Sequence, residues 1–360
     1  MRCVAVAVAV ATASLLTLAA CGSSSSSSSA PRLEPNVVRS GQFFLRRYVD
    51  GGGRVVRRDQ GGDTVSEGQA YGMLIAAGLG DWKRFDTIWG WTRSHLRRPD
   101  ALLSWHWAGG RVVGPEAASD ADLDAARALL VAGCARRRPD LRDAGVALGR
   151  GVLAHETARR GSQLILAAGP WATGQPMTIN PSYLAPATLH ALAVASGDRT
   201  FAQAADDGRA LVAKLSTPLP PDWATVDAGG NATPSGPPGQ NVPAQYGFDA
   251  ARALVRIAED PNTSGRKIAA AAWPVFRDQA PDAIVLERNL NGSPAGGTHT
   301  PLALVSAAGA ARAAGDGQAA SRLLDSAAVQ DSRRPTYYGS AWVTLGRLLL
   351  TTDRLDGACR

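Results

Sequence analysis

Lysine is scarce in this chain of 360 residues, in which Lys83, Lys214 and Lys267 are the only lysines among 38 basic side chains. The formal net charge is nevertheless +7, carried by arginines that are scattered along the chain. The densest basic cluster, Arg136-Arg137-Arg138, has no interleaved aromatic residues and follows a helix-like run, which is typical of a solvated helix end. The composition therefore does not predict a nucleic-acid-binding surface.

Motifs for metal or nucleotide chemistry are also missing. The sequence has neither a Gly-x-Ser-x-Gly nucleophile elbow nor a phosphate-binding loop. Histidine is rare, and the spacing of the five histidines does not match a set of metal ligands: they are His95, His106, His155, His190 and His299. We therefore expect no cofactor and no metal.

The N-terminus has the composition of a secretory signal. Residues 1–20 hold Arg2 and then an apolar run, which predicts a signal peptide. Leu18-Ala19-Ala20-Cys21 resembles the bacterial lipoprotein processing site, and the serine-rich residues 21–35 predict a flexible tether after a lipidated Cys21. An ordinary signal peptide or a membrane helix is the alternative. The expected location is extracytoplasmic, as a membrane-anchored cell-surface lipoprotein or a secreted protein.

Cysteine is equally sparse once this segment is set aside. Cys3 would leave with the signal and Cys21 would carry lipid, so that Cys134 and Cys359 remain in the folded body. Outside the cytoplasm the two cysteines could form one bridge, and two buried thiols are the alternative.

Strand-like alternation is confined to short pieces such as 54–56, 111–113 and 163–166, whereas helical periodicity dominates the rest of the chain. Twelve helices are predicted near residues 36–48, 67–79, 82–97, 121–135, 140–155, 182–196, 199–214, 247–259, 264–278, 300–314, 316–327 and 337–350. They pair into six hairpins. Because no 34- or 40-residue repeat is visible, we expect a closed ring of inner helices wrapped by outer ones rather than an open solenoid. A single domain is predicted over 36–356.

Three acidic motifs begin helical runs at widely separated positions. Glu67 lies in Ser66-Glu67-Gly68-Gln69-Ala70-Tyr71-Gly72-Met73, Asp120 lies in the knot 118–124, and Asp249 begins Asp249-Ala250-Ala251-Arg252. Gly68 and Gly72 are one helical turn apart and could let a ligand approach the backbone. The three acids together predict a carboxylate-lined cleft.

Paired carboxyl groups suit the hydrolysis of a glycosidic bond, because one protonates the leaving oxygen while the other attacks or activates water. Glu67 fits the first role if burial or a neighbouring carboxylate raises its pKa, and Asp120 or Asp122 could supply that effect. The alternative for Glu67 is a simple interaction with the helix dipole. The alternative for the aspartates of the knot, which end with Asp124, is N-capping of their helix.

Aromatic residues near the long loops could supply the stacking surface of a sugar site. Trp105 and Trp107 flank His106 and would project to the same side of an extended chain, and Trp171 and Tyr183 lie in or beside other long loops. Packing into the core is the alternative for each of them.

The three acidic motifs, together with Asn180-Pro181-Ser182-Tyr183-Leu184-Ala185-Pro186, Pro221-Asp222-Trp223 and Tyr337-Tyr338, resemble glycoside hydrolase family 8. Within it, the chain is most similar to the cellulases of bacterial cellulose-synthesis operons. The resemblance implies an all-α (α/α)6 barrel and an inverting mechanism, with Glu67 as general acid and Asp249 as general base. It further implies that Asp120 binds the sugar at the cleavage point.

By the same resemblance, Tyr183 would hold the attacking water and Arg252 would orient Asp249. Tyr71 and Asn180, from the same motifs, are expected to contact substrate. One departure touches chemistry: Phe248 stands where the family usually has a tyrosine before the base.

The expected function is an endo-β-1,4-glucanase that acts on cellulose or a related β-glucan as a monomer. A chitosanase or xylanase of the same family, or a glycan-binding lipoprotein that has lost turnover, are the alternatives.

Overall fold

The computed structural model describes residues 33–357, so the predicted signal peptide and Cys21 lie outside the described residues. The described residues belong to one compact unit that begins at Leu33, and the domain limits of 36–356 stay a prediction. None of the helices in this part of the chain has both the length and the apolar composition needed to cross a bilayer.

Helices account for most of the described residues. They are Pro35–Tyr48 (α1), Ser66–Leu79 (α2), Trp82–His95 (α3), Ser119–Arg136 (α4), Pro139–His155 (α5), Pro186–Ser196 (α6), Thr200–Leu215 (α7), Phe248–Ala258 (α8), Thr263–Ala271 (α9), Trp273–Phe276 (α10), Pro301–Ala313 (α11), Gly317–Arg333 (α12) and Tyr337–Thr351 (α13). Short 3-10 turns occupy Pro170–Ala172, Pro181–Tyr183 and Pro281–Ala283.

Within residues 33–357, three small antiparallel sheets lie in the connections between helices. Their strands are Thr64–Val65 (β1), His106–Ala108 (β2), Arg111–Gly114 (β3), Thr157–Arg160 (β4), Gln163–Leu166 (β5), Met177–Ile179 (β6), Trp223–Val226 (β7) and Ala232–Ser235 (β8). The sheet orders are β1-β2-β3, β4-β5 and β6-β7-β8. Two of the three predicted ribbon segments are strands, whereas Val55 forms only an isolated bridge with Val49.

Six helices form a closed inner ring. In ring order they are α2, α4, α6, α8, α11 and α13, each packs against the next, and α13 packs against α2. Most residues of α2, α4, α8, α11 and α13 are buried, as expected of helices covered on all sides. The remaining long helices pack outside the ring, α1 against α13 and α2, and the others mainly against a neighbour in sequence. The predicted (α/α)6 barrel of six hairpins is confirmed.

Two helix boundaries differ from the sequence prediction. The helix predicted over 264–278 breaks at Ala272, and a new helix begins with Pro274 in its first turn, because proline lacks an N–H and clashes with the preceding turn. The helix predicted from residue 182 begins instead at Pro186, after the 3-10 turn. Pro186 is suited to a first helical position.

Cys134 is disulfide-bonded, so the alternative of two buried thiols is not supported. Its sulfur also lies 3.8 Å from the carbonyl oxygen of Gly357. Cys359, the predicted partner, lies outside the described residues.

Candidate active site

The guanidinium of Arg252 joins three carboxylates that come from three different inner helices. Its Nη1 lies 2.9 Å from Asp120 Oδ2 and 3.7 Å from Glu67 Oε1, and its Nη2 lies 2.5 Å from Asp249 Oδ1. Glu67, Asp120 and Asp249 all lie in the first turns of their helices, α2, α4 and α8. The N-terminal ends of three inner helices therefore meet at one acidic cluster.

Arg252 is well suited to hold this cluster together. Its side chain is only 5% exposed, and it lies one helical turn after Asp249, a spacing that brings the two side chains onto one face of α8. Nη1 also donates a hydrogen bond of 3.3 Å to the Tyr71 hydroxyl, and the guanidinium lies 5.4 Å from the centre of the Tyr183 ring. The rigid fork of an arginine can contact several carboxylates at fixed angles.

Glu67 is the group in this cluster that can keep a proton near neutral pH. Burial, and then the negative charges of Asp120 and Asp249, raise the pKa of Glu67 to about 7, against the opposing effects of Arg252 and the Tyr71 hydroxyl. The side chain is a quarter exposed, while Oε1 is buried and lacks a hydrogen-bond partner within the described residues. The helix dipole, which favours the ionised form, is therefore outweighed by desolvation.

Asp249 differs from Glu67 in its closer contact with Arg252. Its Oδ1 accepts a hydrogen bond from Arg252, and 28% of its side chain is exposed. The carboxylate of Asp249 therefore lies beside a fixed cation and is partly exposed to solvent.

The three aspartates of the knot point in different directions, because all of them lie on α4 and successive even positions rotate away from one another. Asp120 contacts Arg252, Asp122 accepts a 2.9 Å hydrogen bond from the backbone N–H of Leu103, and Asp124 is paired with Arg256. The suggestion that one of them caps the helix is wrong, since Ala118 is the N-cap residue and no side chain caps the helix there. Only Asp120 joins the candidate site.

The two tryptophans of the β2 region are separated rather than aligned. Trp105 is 40% exposed and its ring lies over His106, whereas Trp107 belongs to the hydrophobic core and contacts Trp91 and His95. The pairing of β2 with β3 shifts register between His106 and Trp107, so the simple alternation of an extended chain does not apply. Trp105 therefore offers a stacking surface, while Trp107 is mostly covered.

The other predicted contacts also divide into exposed and covered groups. Trp171 is 48% exposed in its 3-10 turn. Tyr183 is partly buried between Arg252 and the edge-on ring of Trp223, whose centre lies 6.1 Å away. Asn180 is buried and uses its Oδ1 to accept hydrogen bonds from Ser182, and its Nδ2 has no partner within residues 33–357.

Tyr337, which carried no assigned role from the sequence, lies against the Glu67 turn. A Cβ atom placed on Gly68 would lie 2.6 Å from the Tyr337 hydroxyl oxygen, and one on Gly72 would lie 2.8 Å from a Val55 methyl group. These glycines therefore make room for protein side chains, and the expectation that they admit a ligand is wrong. The spacing of small residues was visible in the sequence, but the partner that fills the space was not.

Phe248 begins α8 directly before Asp249. It is 47% exposed, and its ring centre lies 6.2 Å from that of Tyr338. The exposed ring and the carboxylate thus share one edge of the site.

The chain is similar to known proteins in sequence and in fold. The model of glycosyl hydrolases family 8 matches residues 8–352. The chain is 33% identical over 226 residues to a probable endoglucanase of Novacetimonas hansenii. This match covers 60% of this chain and 65% of the relative. It is 30% identical over 322 residues to endoglucanase A of Acetivibrio thermocellus, which covers 84% of this chain and again 65% of the relative.

A solved structure shows the same architecture. The endo-β-1,4-glucanase of Acetobacter xylinum superposes with a TM-score of 0.75 at 26% identity, covering 87% of this chain and 97% of that chain.

Proposed function

Because the chain belongs to glycoside hydrolase family 8, we propose that it is an inverting endo-β-1,4-glucanase that acts on cellulose or a related β-glucan. The observation that carries this proposal is the position of Arg252 between Glu67 and Asp249, which brings a protonatable carboxyl and an open carboxylate into one site. The names of the similar endoglucanases support the substrate class.

In the proposed reaction, Glu67 donates its proton to the glycosidic oxygen as the bond from that oxygen to the anomeric carbon breaks. Asp249 takes a proton from a water molecule, whose oxygen bonds to the anomeric carbon from the opposite face. Contacts of 3.7 and 2.5 Å to one guanidinium keep the two nearest carboxylate oxygens within roughly 9 Å of each other, so that both can act on one glycosidic bond. Inversion needs a separation of about 6.5–9.5 Å and retention one of about 5–5.5 Å, and the anomer that is formed first distinguishes the two.

The remaining residues of the site have supporting roles in this proposal. Asp120, fixed by Arg252, binds the sugar at the cleavage point, and Tyr183 helps to hold the water. Trp105 and Trp171 expose ring area on which sugar rings can stack. The Tyr71 hydroxyl is hydrogen-bonded to both Arg252 and Glu67 and so fixes their relative positions. Trp107 contributes through its packing in the core against Trp91 and His95.

The proposal is tested with the purified protein on carboxymethylcellulose, chitosan and xylan. We expect reducing sugar from carboxymethylcellulose alone, and proton NMR of a cello-oligosaccharide digest should show the α-anomer first, because inversion of a β-linkage gives an α-product. First appearance of the β-anomer would contradict inversion. Release from chitosan or xylan would favour those family alternatives, and binding without release would favour a glycan-binding protein.

We also propose that Cys21 is lipidated and anchors the enzyme at the outer face of the membrane, as the motif Leu18-Ala19-Ala20-Cys21 indicates. A diacylated cysteine holds a protein at a membrane, whereas the serine-rich tether alone would not. The variant Cys21→Ser should therefore move the protein from the membrane fraction to the medium, with Ser24→Ala in the tether as the matched control. Retention of Cys21→Ser at the membrane would contradict the anchor.

A further inference from the structure

The helix that carries Asp249 has an unusual beginning. The N-cap residue of α8 is Gly247, which has no side chain with which to cap the helix. The first N–H groups of a helix have no partner within the helix, and a capping oxygen normally comes from the N-cap side chain. In α8 that oxygen has to come from elsewhere in the chain.

Asp222 supplies it from the residue before β7. Its Oδ1 accepts hydrogen bonds from the N–H of Gly247 at 2.9 Å and from the N–H of Ala250 at 2.7 Å. Ala250 is the third residue after the cap and is therefore the N–H that an ordinary capping side chain would bind. Asp222 is 8% exposed, so the contact is an interior one.

Gly247 is required by this arrangement. A Cβ atom on residue 247 would lie 2.5 Å from Asp222 Oδ2, closer than such atoms approach. The backbone N–H of Asp222 in turn donates a 2.7 Å hydrogen bond to the carbonyl of Gln245. Asp222 is thus hydrogen-bonded to the backbone before the N-cap residue, at Gln245, and after it, at Ala250.

We infer that Asp222 is a positioning residue, which fixes the first turn of α8 and through it the carboxylate of Asp249. Phe248 and Asp249 lie between the two N–H groups that Asp222 holds, so a displaced first turn moves Asp249 relative to Glu67. The next residue, Trp223, contacts Tyr183, whose ring lies 5.4 Å from the Arg252 guanidinium. This inference rests on the proposed function, since it assigns Asp249 a part in hydrolysis.

Asp222 and Asp249 are two acidic groups close enough for the charge of one to affect the pKa of the other. Burial, and then the charge of Asp249, raise the pKa of Asp222 to about 6, while the N–H groups of Ala250 and Gly247 oppose that rise. A buried carboxyl kept at such a place is costly, which agrees with a role beyond filling space.

The test compares three variants by kcat and KM on a cello-oligosaccharide, well below their unfolding temperatures. Asp222→Leu keeps the bulk and removes the acceptor, and we expect its kcat to fall roughly 10- to 100-fold with little change in KM, as a misplaced catalytic group does. Asp222→Asn keeps an oxygen that can accept both hydrogen bonds and should stay within about threefold of wild type. Asp316→Leu is the matched control. Asp316 caps the outer helix α12 by accepting a 2.9 Å hydrogen bond from the N–H of Ala319, and it is far in sequence from Glu67, Asp120 and Asp249. This variant should lower the unfolding temperature and leave kcat unchanged.

An aryl cellobioside with a good leaving group adds a second readout, since it needs little help from a general acid. The loss in Asp222→Leu should persist on this substrate if the base is displaced. Wild-type kcat in Asp222→Leu, with only a lower unfolding temperature, would overturn the positioning role. If that variant does not fold, Asp222→Ser, whose shorter side chain cannot reach both N–H groups, takes its place under the same criterion. Inactive wild-type protein on every glucan would overturn the proposed function first and this role with it.

Discussion

Replacement of Glu67 by Gln should lower kcat on β-glucan by about 10²- to 10⁴-fold, the usual contribution of a general acid. Gln has nearly the shape of Glu but cannot give a proton to the leaving oxygen. Binding should survive, because the substitution leaves the aromatic surfaces and Asp120 in place. Steady-state kinetics give the first result, and calorimetric titration with cellopentaose gives the second.

A leaving-group comparison identifies the step that Glu67 assists. An aryl cellobioside departs without full protonation, so the defect of Glu67→Gln should shrink on it relative to cellopentaose. Glu116→Gln is the matched control, because Glu116 is exposed on a loop and should keep wild-type rates. Unchanged cellopentaose hydrolysis in Glu67→Gln would show that the proton comes from another group.

The same variant should change the dependence of stability on pH. The pKa of Glu67 in the folded protein, about 7, lies above its ordinary value of 4.5. Its protonated form is therefore favoured by folding, and the stability that it contributes is lost as the pH rises through about 7. Glu67→Gln should unfold at a higher temperature than wild type near pH 8, and the difference should vanish below about pH 4. An identical difference at both pH values would contradict a raised pKa.

The helices, and the acidic residues at the starts of three of them, could be located in the sequence for a physical reason. Most of the inner helices are long apolar runs because they are covered on all sides, whereas the outer helices have apolar residues at helical spacing on one face. Glu67, Asp120 and Asp249 lie in the first turns of inner helices. Asp249-Ala250-Ala251-Arg252 even shows the spacing that brings Arg252 beside Asp249. Helical periodicity and side-chain spacing are properties of a single segment, so they can be recognised without knowledge of the tertiary structure.

Long-range partners were beyond such reasoning. Tyr337 fills the space beside Gly68, and Asp222 caps a helix whose own N-cap is Gly247. In each case the sequence shows only a glycine, Gly68 or Gly247. The residue that fills the space beside it comes from a distant part of the chain and is identified only in the folded structure. The separation of Trp105 from Trp107 depends likewise on the register of a neighbouring strand.

Replacement of Arg252 by Ala should combine a large catalytic loss with a large loss of stability. Removal of the guanidinium leaves Asp120 buried without its cationic partner and leaves Glu67 and Asp249 without the group between them. Breaking a buried ion pair from one side typically costs about 3–5 kcal/mol of unfolding free energy. Displacement of the carboxylates by about 1 Å lowers kcat by about 10²-fold. Urea unfolding and steady-state kinetics at low temperature measure the two effects.

Two further variants separate charge, geometry and stability. Arg252→Lys keeps the positive charge but cannot reach Asp120 and Asp249 with a planar fork, so it should recover much of the stability and little of the activity. Arg127→Ala is the matched control: Arg127 is 3% exposed and binds both carboxylate oxygens of Glu259 at 2.8 and 2.9 Å, so it should lose comparable stability while kcat remains near wild type. Full activity in Arg252→Lys would mean that charge alone orders the acids. An equal kcat loss in Arg127→Ala would mean that any buried ion pair has the same effect, because the defect then follows global stability rather than the position of Asp249.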